Sequence, residues 1–553
     1  MTPGQTPVPD TAPQGAAEET AAGPSTSPPA PSGLLSVAAL SSTRVLSLAL
    51  GVAGGTLSAA YFGAGVAKDC YIVAQTIPAL LGTIAIAGLY TSLMVALADV
   101  GRREGVRGQI ALIGGTLRQL SLVLIPLALV ATFFPRPFLA LVAPGFGPEQ
   151  IALSGRMLSI TMFAMIASVY FAVVRALYNA RHQFGVPGLV YLLVGAVSLA
   201  TLVLFVRPWG IFALALGPLF GGVLAAGVLG LLAGRLLRDP AGFVPESTGP
   251  KTPARGRARL WADFVPMSIG ANFGQVNLMI DNAFASFLPP GNITQLGFAS
   301  VIVSNAELLA IFSLAEVAFS RLTAASLRAT AALEEEVRLN LRSMILMTAP
   351  IAAGCLVFGT PLARLLFERG QFGPDATAAV ARILACFAPE VLFMGFFAIF
   401  WRTLAALRRT WTMVWTSLGA MAANAVLDAI LMRRFGSSGI ALATSIVTML
   451  FAVVLGILVR RNGVRLLAPG DALYGVRVVV SAVIMAAAVG GWTMAFEGTA
   501  DLSSEPARLL ETGGGLALGA LVYAAMLHLL GIRVVTEVLG RMARATGGWG
   551  RGR

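Results

Sequence analysis

Residues 271–291, ANFGQVNLMIDNAFASFLPPG, form a stretch that is apolar enough to lie within a membrane. Polar side chains nevertheless interrupt it at Asn272, Gln275, Asn277, Asp281 and Asn282. Asp281 lies far from either end, and a carboxylate at that depth costs several kcal/mol unless it faces a partner, an ion or water. The stretch also begins the second copy of an internal repeat, so it bears on both the architecture and the chemistry.

The composition is that of a membrane protein. Of the 553 residues, 57% are hydrophobic and only 12% are charged, with a mean hydropathy of +0.81. Soluble domains are about a quarter charged. The three cysteines are widely separated and the chain has only two histidines. We therefore expect neither a disulfide framework nor a histidine-based metal site.

Hydropathy predicts an all-α polytopic membrane protein with about 14 transmembrane helices, because each crossing needs about 20 apolar residues. The predicted spans are 34–58, 72–98, 110–134, 151–178, 187–206, 211–236, 261–288, 294–325, 338–366, 376–404, 410–432, 438–461, 475–496 and 509–532.

The basic residues favour one set of loops, and this asymmetry predicts the orientation. The richer loops and the C-terminal tail carry Arg102, Arg103, Arg107, Arg181, Arg238, Lys251, Arg255, Arg257, Arg259, Arg328, Arg408, Arg409, Arg461, Arg465, Arg541 and Arg544. The pair Arg433–Arg434 breaks the pattern. Since basic loops stay on the cytoplasmic side, both termini are predicted to be cytoplasmic. The same rule explains the net charge of +13 without a nucleic-acid partner.

An internal repeat divides the chain. Phe146-Gly-Pro-Glu149 recurs as Phe372-Gly-Pro-Asp375, 226 positions later, and the turn at Gly65 recurs at Gly291 with the same offset. The offset places spans 1–6 on spans 7–12. Because six is even, the two copies are parallel repeats, as in transporters that rock two lobes about a central site.

The repeat predicts six segments. They are a disordered cytoplasmic tail (1–32), an N-lobe of helices 1–6 (33–237), a basic cytoplasmic linker (238–260), a C-lobe of helices 7–12 (261–462), an extra helix pair 13–14 (463–533) and a basic cytoplasmic tail (534–553). The first is rich in Pro, Thr, Ala, Ser and Gly and has no Lys or Arg, a composition typical of disorder.

Several segments resemble the MurJ/MviN lipid II flippases of the multidrug/oligosaccharidyl-lipid/polysaccharide exporter superfamily. They are YFGAGVAKDCYIVAQTIPALL (61–81), VAPGF (142–146), LYNARHQFGVPGL (177–189), DNAFASFL (281–288) and LLFERGQF (365–372). The resemblance runs from about residue 34 to the last span. It implies a flippase for a polyprenyl-pyrophosphate-linked peptidoglycan precursor in the bacterial cytoplasmic (inner) membrane. It also implies that helices 13 and 14 form a groove for the lipid tail.

The resemblance further implies a sodium ion bound among spans 7, 11 and 12. Its ligands here would be Asp281, Asn424, Asp428, Thr444 and the carbonyl of Ile440. The residues support part of this independently. Asn424 and Asp428 are four apart and so share one helix face, and oxygen ligands suit a hard cation. The alternative is that Asp428 approaches Arg433 at the span end and Asp281 caps or pairs elsewhere.

The chain departs from the family at the expected pyrophosphate contacts. Gly54 and Gly55 stand where the family has an Arg–acidic pair, Gly82 replaces a further Arg, Ala87 an acidic residue, and Ser300-Val301 an Asp-Arg pair. The remaining candidates for the substrate cavity are Arg44, Asp69, Ser300, Ser304, Glu307 and Glu316. The spacing of Ser300, Ser304 and Glu307 predicts one wet helix stripe. Alternatively, Glu316 pairs with Arg321 or Arg44, and Glu307 bonds a serine on a facing helix.

The sequence shows no embedded nucleophile–base–acid set, no phosphate-binding glycine loop with its lysine and no Cys/His cluster, so no enzymatic activity is expected. The leading hypothesis is a flippase for lipid II or a related lipid-linked oligosaccharide that works by alternating access, with a bound cation. Membrane lipids and cell-wall synthesis proteins are the further expected partners. Two alternatives stay open: a cation-coupled drug or metabolite exporter of the same superfamily, and a transport-inactive membrane scaffold, which the missing arginines favour.

Overall fold

A computed structural model describes residues 32–181, 183, 185–236, 273–499 and 504–532. The predicted tails 1–32 and 534–553 and the linker 238–260 lie outside these ranges, apart from Ser32. Within them the chain is helical and contains no strand.

The first half contains six helices in the described ranges. They are α1 (Ser32–Phe62), α2 (Val66–Phe133), α3 (Pro135–Val142), α4 (Pro148–Ala180), α5 (Gly185–Trp209) and α6 (Phe212–Leu236).

The described part of the second half begins with α7 (Phe273–Ala285) and α8 (Asn292–Glu307), followed by a π-helical turn (Leu308–Phe312). The later helices are α9 (Ser313–Arg328), α10 (Thr330–Val357), α11 (Gly359–Phe367), α12 (Pro374–Ala406), α13 (Thr410–Phe435), α14 (Ser437–Arg461), α15 (Asp471–Thr499) and α16 (Glu505–Leu529).

Twelve helical segments of the described chain are long and apolar enough to cross a membrane. The predicted all-α polytopic fold is therefore confirmed. Spans two and three form one continuous element, α2, which is broken at Gly105 (φ 65°, ψ −155°). Glycine adopts this conformation at little steric cost. Gln109 stabilises the chain at this break by donating a hydrogen bond to the carbonyl of Leu97 at 2.9 Å. Arg181 in turn donates a hydrogen bond to the side chain of Gln109 at 2.7 Å.

Two other predicted spans are interrupted. Span eight changes to a π turn at Leu308, directly after Glu307, and resumes as α9. Span nine divides at Phe358 into α10 and the short helix α11, because Phe358 leaves the helical conformation (φ −108°, ψ 5°). A hydropathy profile averages over such breaks, since neither changes the apolar character of the segment.

The helices repeat with the offset seen in the sequence. Helices α4 and α12 begin at Pro148 and Pro374, each is preceded by a short helix, and both have 33 residues. The turns at Gly210 and Gly436, again 226 positions apart, both have positive φ.

The contacts between the repeats are reciprocal. The amide of Gly145 donates to Ser286 Oγ at 2.9 Å, and the amide of Gln371 donates to the carbonyl of Ala60 at 2.9 Å. Each residue of the second bond lies 226 positions from a residue of the first. Contacts that are related in this reciprocal way are expected when a two-fold axis relates the two repeats. Such an axis agrees with the predicted parallel repeat.

Helices α15 and α16 lie outside the repeat and pack on each other and on α10 and α11. Arg364 of α11 binds Glu497 at 2.9 Å and the fully buried Glu511 at 3.2 Å. Two further bridges join this region to α16: Arg369 to Glu505 at 2.6 Å, and Arg508 to Glu368 at 3.4 Å. The C-terminal pair is therefore tied to the second repeat by charge as well as by packing.

The substitution Arg364→Met should destabilise the attachment of α16. It leaves the carboxylate of Glu511 buried without its cation, which typically costs about 3–5 kcal/mol. Thermal unfolding of the detergent-solubilised protein should show a clearly lower midpoint. Arg369→Met is the matched control, because its partner Glu505 is 61% exposed and water replaces the lost contact. Equal shifts for the two variants would contradict this account.

Candidate functional site

Three polar side chains from two helices of the second repeat meet in the interior. Asp281 lies on α7, and Asn424 and Asp428 lie one turn apart on α13. The Asn424 amide donates to Asp281 Oδ1 and to Asp428 Oδ2, both at 2.9 Å. Asn424 and Asp428 are fully buried, and Asp281 is 7% exposed. Asp428 therefore belongs to this cluster, as expected for an ion site.

The oxygen atoms of these three side chains are suitable ligands for a small hard cation. The Asn424 Oδ1 and Asp428 Oδ1 atoms are buried and have no hydrogen-bond partner among the described residues. The carboxyl groups of Asp281 and Asp428 lie within hydrogen-bonding reach of each other. Buried oxygens without donors are costly unless a ligand satisfies them, and an all-oxygen set suits Na⁺ or a similar ion.

The two other predicted ligands lie on the neighbouring helix α14, which packs against α7 and α13. Ile440 is fully buried, and the hydroxyl of Thr444 donates to its carbonyl at 3.2 Å. In the described structure no hydrogen bond joins this pair to the cluster formed by Asp281, Asn424 and Asp428.

The predicted wet stripe is not uniform. Ser300 is half-buried and Ser304 is exposed, whereas Glu307 is only 6% exposed. Glu316 is exposed on α9, beyond the π turn, and its charge acts on Arg402. Arg44 lies on α1, but its side chain is outside the described part of the chain.

Asp69 joins the two repeats and does not line open space. It is 2% exposed and accepts hydrogen bonds from the amide of Gly291 at 2.5 Å, the amide of Thr294 at 2.8 Å and the hydroxyl of Thr294 at 2.6 Å. These amides belong to the first turn of α8, so a carboxylate of the first repeat caps a helix of the second. We call the contacts of Asp69, Gly145 and Gln371 across the repeats the inter-lobe seam.

Sequence reasoning missed Lys68, which it counted with the loop residues. The Lys68 side chain is buried, donates to Ser58 Oγ at 2.5 Å and lies over the rings of Tyr71 and Phe298, 4.9 and 5.8 Å from their centres. Its position directly before Asp69 gave no signal, because basic residues near a turn usually face water. Sequence reasoning also left Glu390 out of the candidate site, although it is 9% exposed within α12.

A cavity of about 500 Å³ lies in the first repeat, between α1, α2, α5 and α6. Its polar lining is uncharged and comes from Ser47, Tyr71, Gln75, Tyr191 and Ser198. Gly54, where a family pair of charged residues was expected, also lines it. The space therefore exists in part because glycine replaces a charged side chain.

The family profile described as "Lipid II flippase MurJ" matches residues 58–511. The chain belongs to the MurJ family. With twelve apolar spans in its described ranges it is a multi-pass inner-membrane protein, and its family is one of transporters.

Two relatives of the MurJ family match nearly the whole chain. "Lipid II flippase MurJ" of Burkholderia cenocepacia is 24% identical over 519 residues, covering 89% of this chain and 96% of the relative. "Probable lipid II flippase MurJ" of Vibrio cholerae is 25% identical over 508 residues, covering 90% and 95%.

Solved structures agree on the fold. "Lipid II flippase MurJ, inward closed conformation" superposes with a TM-score of 0.71 at 20% identity, covering 89% of this chain and 98% of that one. An inward-facing multidrug resistance MATE family transporter of the MOP superfamily gives 0.62 at 15% identity, covering 77% and 98%. At these identities the likeness concerns the fold alone.

Removing the Asp69 carboxylate should open the inter-lobe seam. Asp69→Ala leaves the amides of Gly291 and Thr294 without an acceptor, which costs the closed arrangement about 1–3 kcal/mol. Spin labels can be attached at Val66→Cys and Phe287→Cys, two exposed positions beside the seam, in a background that lacks the native cysteines. In Asp69→Ala the distribution of distances between the two labels should shift toward longer values.

The control for the seam experiment is Glu149→Ala, which removes an exposed carboxylate from the first turn of α4. Its distance distribution should match that of the unmodified chain. A distribution for Asp69→Ala that also matches would contradict the role given to Asp69.

Proposed function

We propose that this chain translocates lipid II, or a related polyprenyl-pyrophosphate-linked oligosaccharide, across the cytoplasmic membrane by alternating access. The main support is the family match over residues 58–511. The reciprocal contacts of two parallel repeats agree with it, since two lobes that meet across one seam can rock about a central site.

The proposed lobes are residues 33–237 and 261–462, with residues 463–533 as the lipid-tail groove. The described ion pairs of Arg364, Arg369 and Arg508 support a groove that moves with the second lobe. Membrane lipids and cell-wall synthesis proteins are the proposed further partners. Both termini are assigned to the cytoplasm on the distribution of basic residues alone.

The proposed cation would be held by Asp281, Asn424 and Asp428, with Thr444 and the Ile440 carbonyl completing the set. When bound, it would supply positive charge between two carboxylates that otherwise repel. The unpartnered oxygens of Asn424 and Asp428 support this assignment. Because the ligands come from α7, α13 and α14, their positions set how these helices of the second lobe pack.

One observation favours a cation-coupled drug or metabolite exporter as the second candidate. The first-repeat cavity has no charged lining, and Gly54, Gly55 and Gly82 replace the charged residues expected to contact a pyrophosphate. Such a lining suits a neutral or amphipathic molecule. The same missing arginines are the reason to keep a transport-inactive scaffold as a third reading.

Complementation tests the substrate. In a bacterium depleted of its own lipid II flippase, expression of this chain should restore growth, with the membrane level of the tagged protein checked by immunoblot. Normal membrane levels without growth would overturn the lipid II assignment. Rescue by a variant with bulky side chains at the cavity, Gly54→Leu, would show that the first-repeat cavity is not needed for it.

Cation binding can be measured without transport. A ligand that binds only the folded state raises its stability, by about 2.7 kcal/mol at a hundredfold excess over Kd. The unfolding midpoint of the purified protein should therefore rise in NaCl relative to KCl. Asn424→Ala and Asp428→Asn should abolish the rise.

Thr416→Ala is the control for the cation, because in the described structure this hydroxyl bonds only carbonyls of its own helix, at 2.8 Å to Thr412 and 3.0 Å to Met413. It should keep the sodium-dependent rise. A rise that persists in Asp428→Asn would remove the cation from this cluster.

A further inference from the structure

Glu307 is a buried carboxylate that neither the inter-lobe seam nor the cation cluster uses. It ends α8, is 6% exposed, and its Oε1 atom has no hydrogen-bond partner within the part of the chain that the structure describes. An isolated buried charge is far too costly to keep for packing alone. A carboxyl group inside a membrane span is therefore a candidate for ion or proton chemistry.

A second buried carboxylate, Glu390, lies on α12. Helix α12 packs against α8 and against the π turn. The charge of Glu307 acts on Glu390, and both charges act on the thiol of Cys355 on α10. Two carboxyl groups from different helices thus face one region, which Cys355 borders.

The backbone is irregular at this point. The π turn Leu308–Phe312 begins at the residue after Glu307. Single π turns inside α-helices are rare and frequently occur at functional sites. Here the turn separates Glu307 from the next carboxylate of the same span, Glu316, which is exposed and acts on Arg402.

The other charged groups on α12 and on the helices packed against α8 can be named helix by helix. Helix α7 contributes Asp281, whose charge also acts on Glu390. Helix α12 contributes Arg402, which is engaged with Glu316. Helix α2 contributes Lys68, held by Ser58 and two aromatic rings. Among the described contacts, none of these cations binds Glu307 or Glu390, so the pair has no counter-ion there.

We propose that Glu307 and Glu390 form a proton-binding site in the second lobe, at which the two carboxyl groups together hold one proton. Hydronium transfers the proton to one carboxylate, where an O–H bond forms, and leaves as water. The pair then carries one negative charge in place of two. Adjacent carboxylates favour this state because a second charge beside the first is costly.

The site goes beyond the proposed translocation of a lipid and is separate from the cation cluster. The two are nevertheless linked, because the charge of Asp281 acts on Glu390. A cation bound beside Asp281 weakens the hold of the pair on its proton, and the proton weakens cation binding by the same factor. The second lobe thus senses both pH and cation concentration.

Infrared difference spectroscopy of the full-length protein in lipid tests the proton. As the pH is stepped, the carbonyl stretch of a protonated carboxylic acid reports each proton lost, in parallel runs with NaCl and KCl. The unmodified protein should show such an acid at neutral pH. In Glu307→Gln and in Glu390→Gln the proton affinity of the remaining glutamate should fall at least about tenfold, because the negative charge of the replaced glutamate no longer opposes its ionisation.

The double variant Glu307→Gln/Glu390→Gln should lose this band, and Glu316→Gln, an exposed carboxylate of the same span, should leave it unchanged. Selective ¹³C labelling of glutamate carboxyls in the unmodified protein shifts the band if it belongs to glutamate. This assignment does not depend on whether a variant folds. A band that does not move on labelling belongs to aspartate and overturns the proposal. So does a band that survives in the double variant, or an unchanged release pH in both single variants.

Discussion

The capping of α8 by Asp69 is the contact on which the rest of the arrangement depends. Backbone amides inside a membrane must find partners within the protein, and the first turn of α8 has no side-chain cap of its own. Asp69 provides that cap from the other repeat. The halves then meet backbone to backbone, since a Cβ added at Gly291 would lie 2.6 Å from the carbonyl of Ala64.

The strength of the seam suits a protein in which the contact between the two repeats must open. Two of its hydrogen bonds join neutral groups and are worth about 0.5–1.5 kcal/mol net each, and three end on the Asp69 carboxylate and are worth about 1.5–3 kcal/mol each, less the cost of burying that charge. The described ion pairs, in contrast, lie within one repeat or between the second repeat and the C-terminal helices α15 and α16. The permanent attachments therefore pair two opposite charges, whereas the contact that has to break pairs one carboxylate with neutral donors. A gap of a few kcal/mol is what a ligand can overcome by differential binding.

Hydropathy and the 226-residue offset predicted the fold, because both depend on properties that every helix shows locally. The same holds for Asn424 and Asp428, whose spacing alone placed them on one face. The role of Asp69 could not be predicted, since it depends on which distant helix lies opposite. Lys68 was missed for a related reason: two aromatic rings, one of them from the other repeat, enclose a residue that the local sequence assigns to a loop. The breaks at Gly105 and Leu308 leave no mark in hydropathy.

The two repeats have the same helix arrangement but carry different side chains at corresponding positions. Counted back by 226 positions, Asp281, Asn424 and Asp428 correspond to Gly55, Ser198 and Leu202. Two of these, Ser198 and Leu202, line the 500 Å³ cavity of the first repeat. The place that holds carboxylates in one repeat is thus open space in the other. A cation bound at the proposed cluster of the second repeat and a larger molecule bound in the cavity of the first would therefore occupy different sites and would not compete. If both ligands favour the same arrangement of the two lobes, each would strengthen the binding of the other, because both would bias one two-state equilibrium.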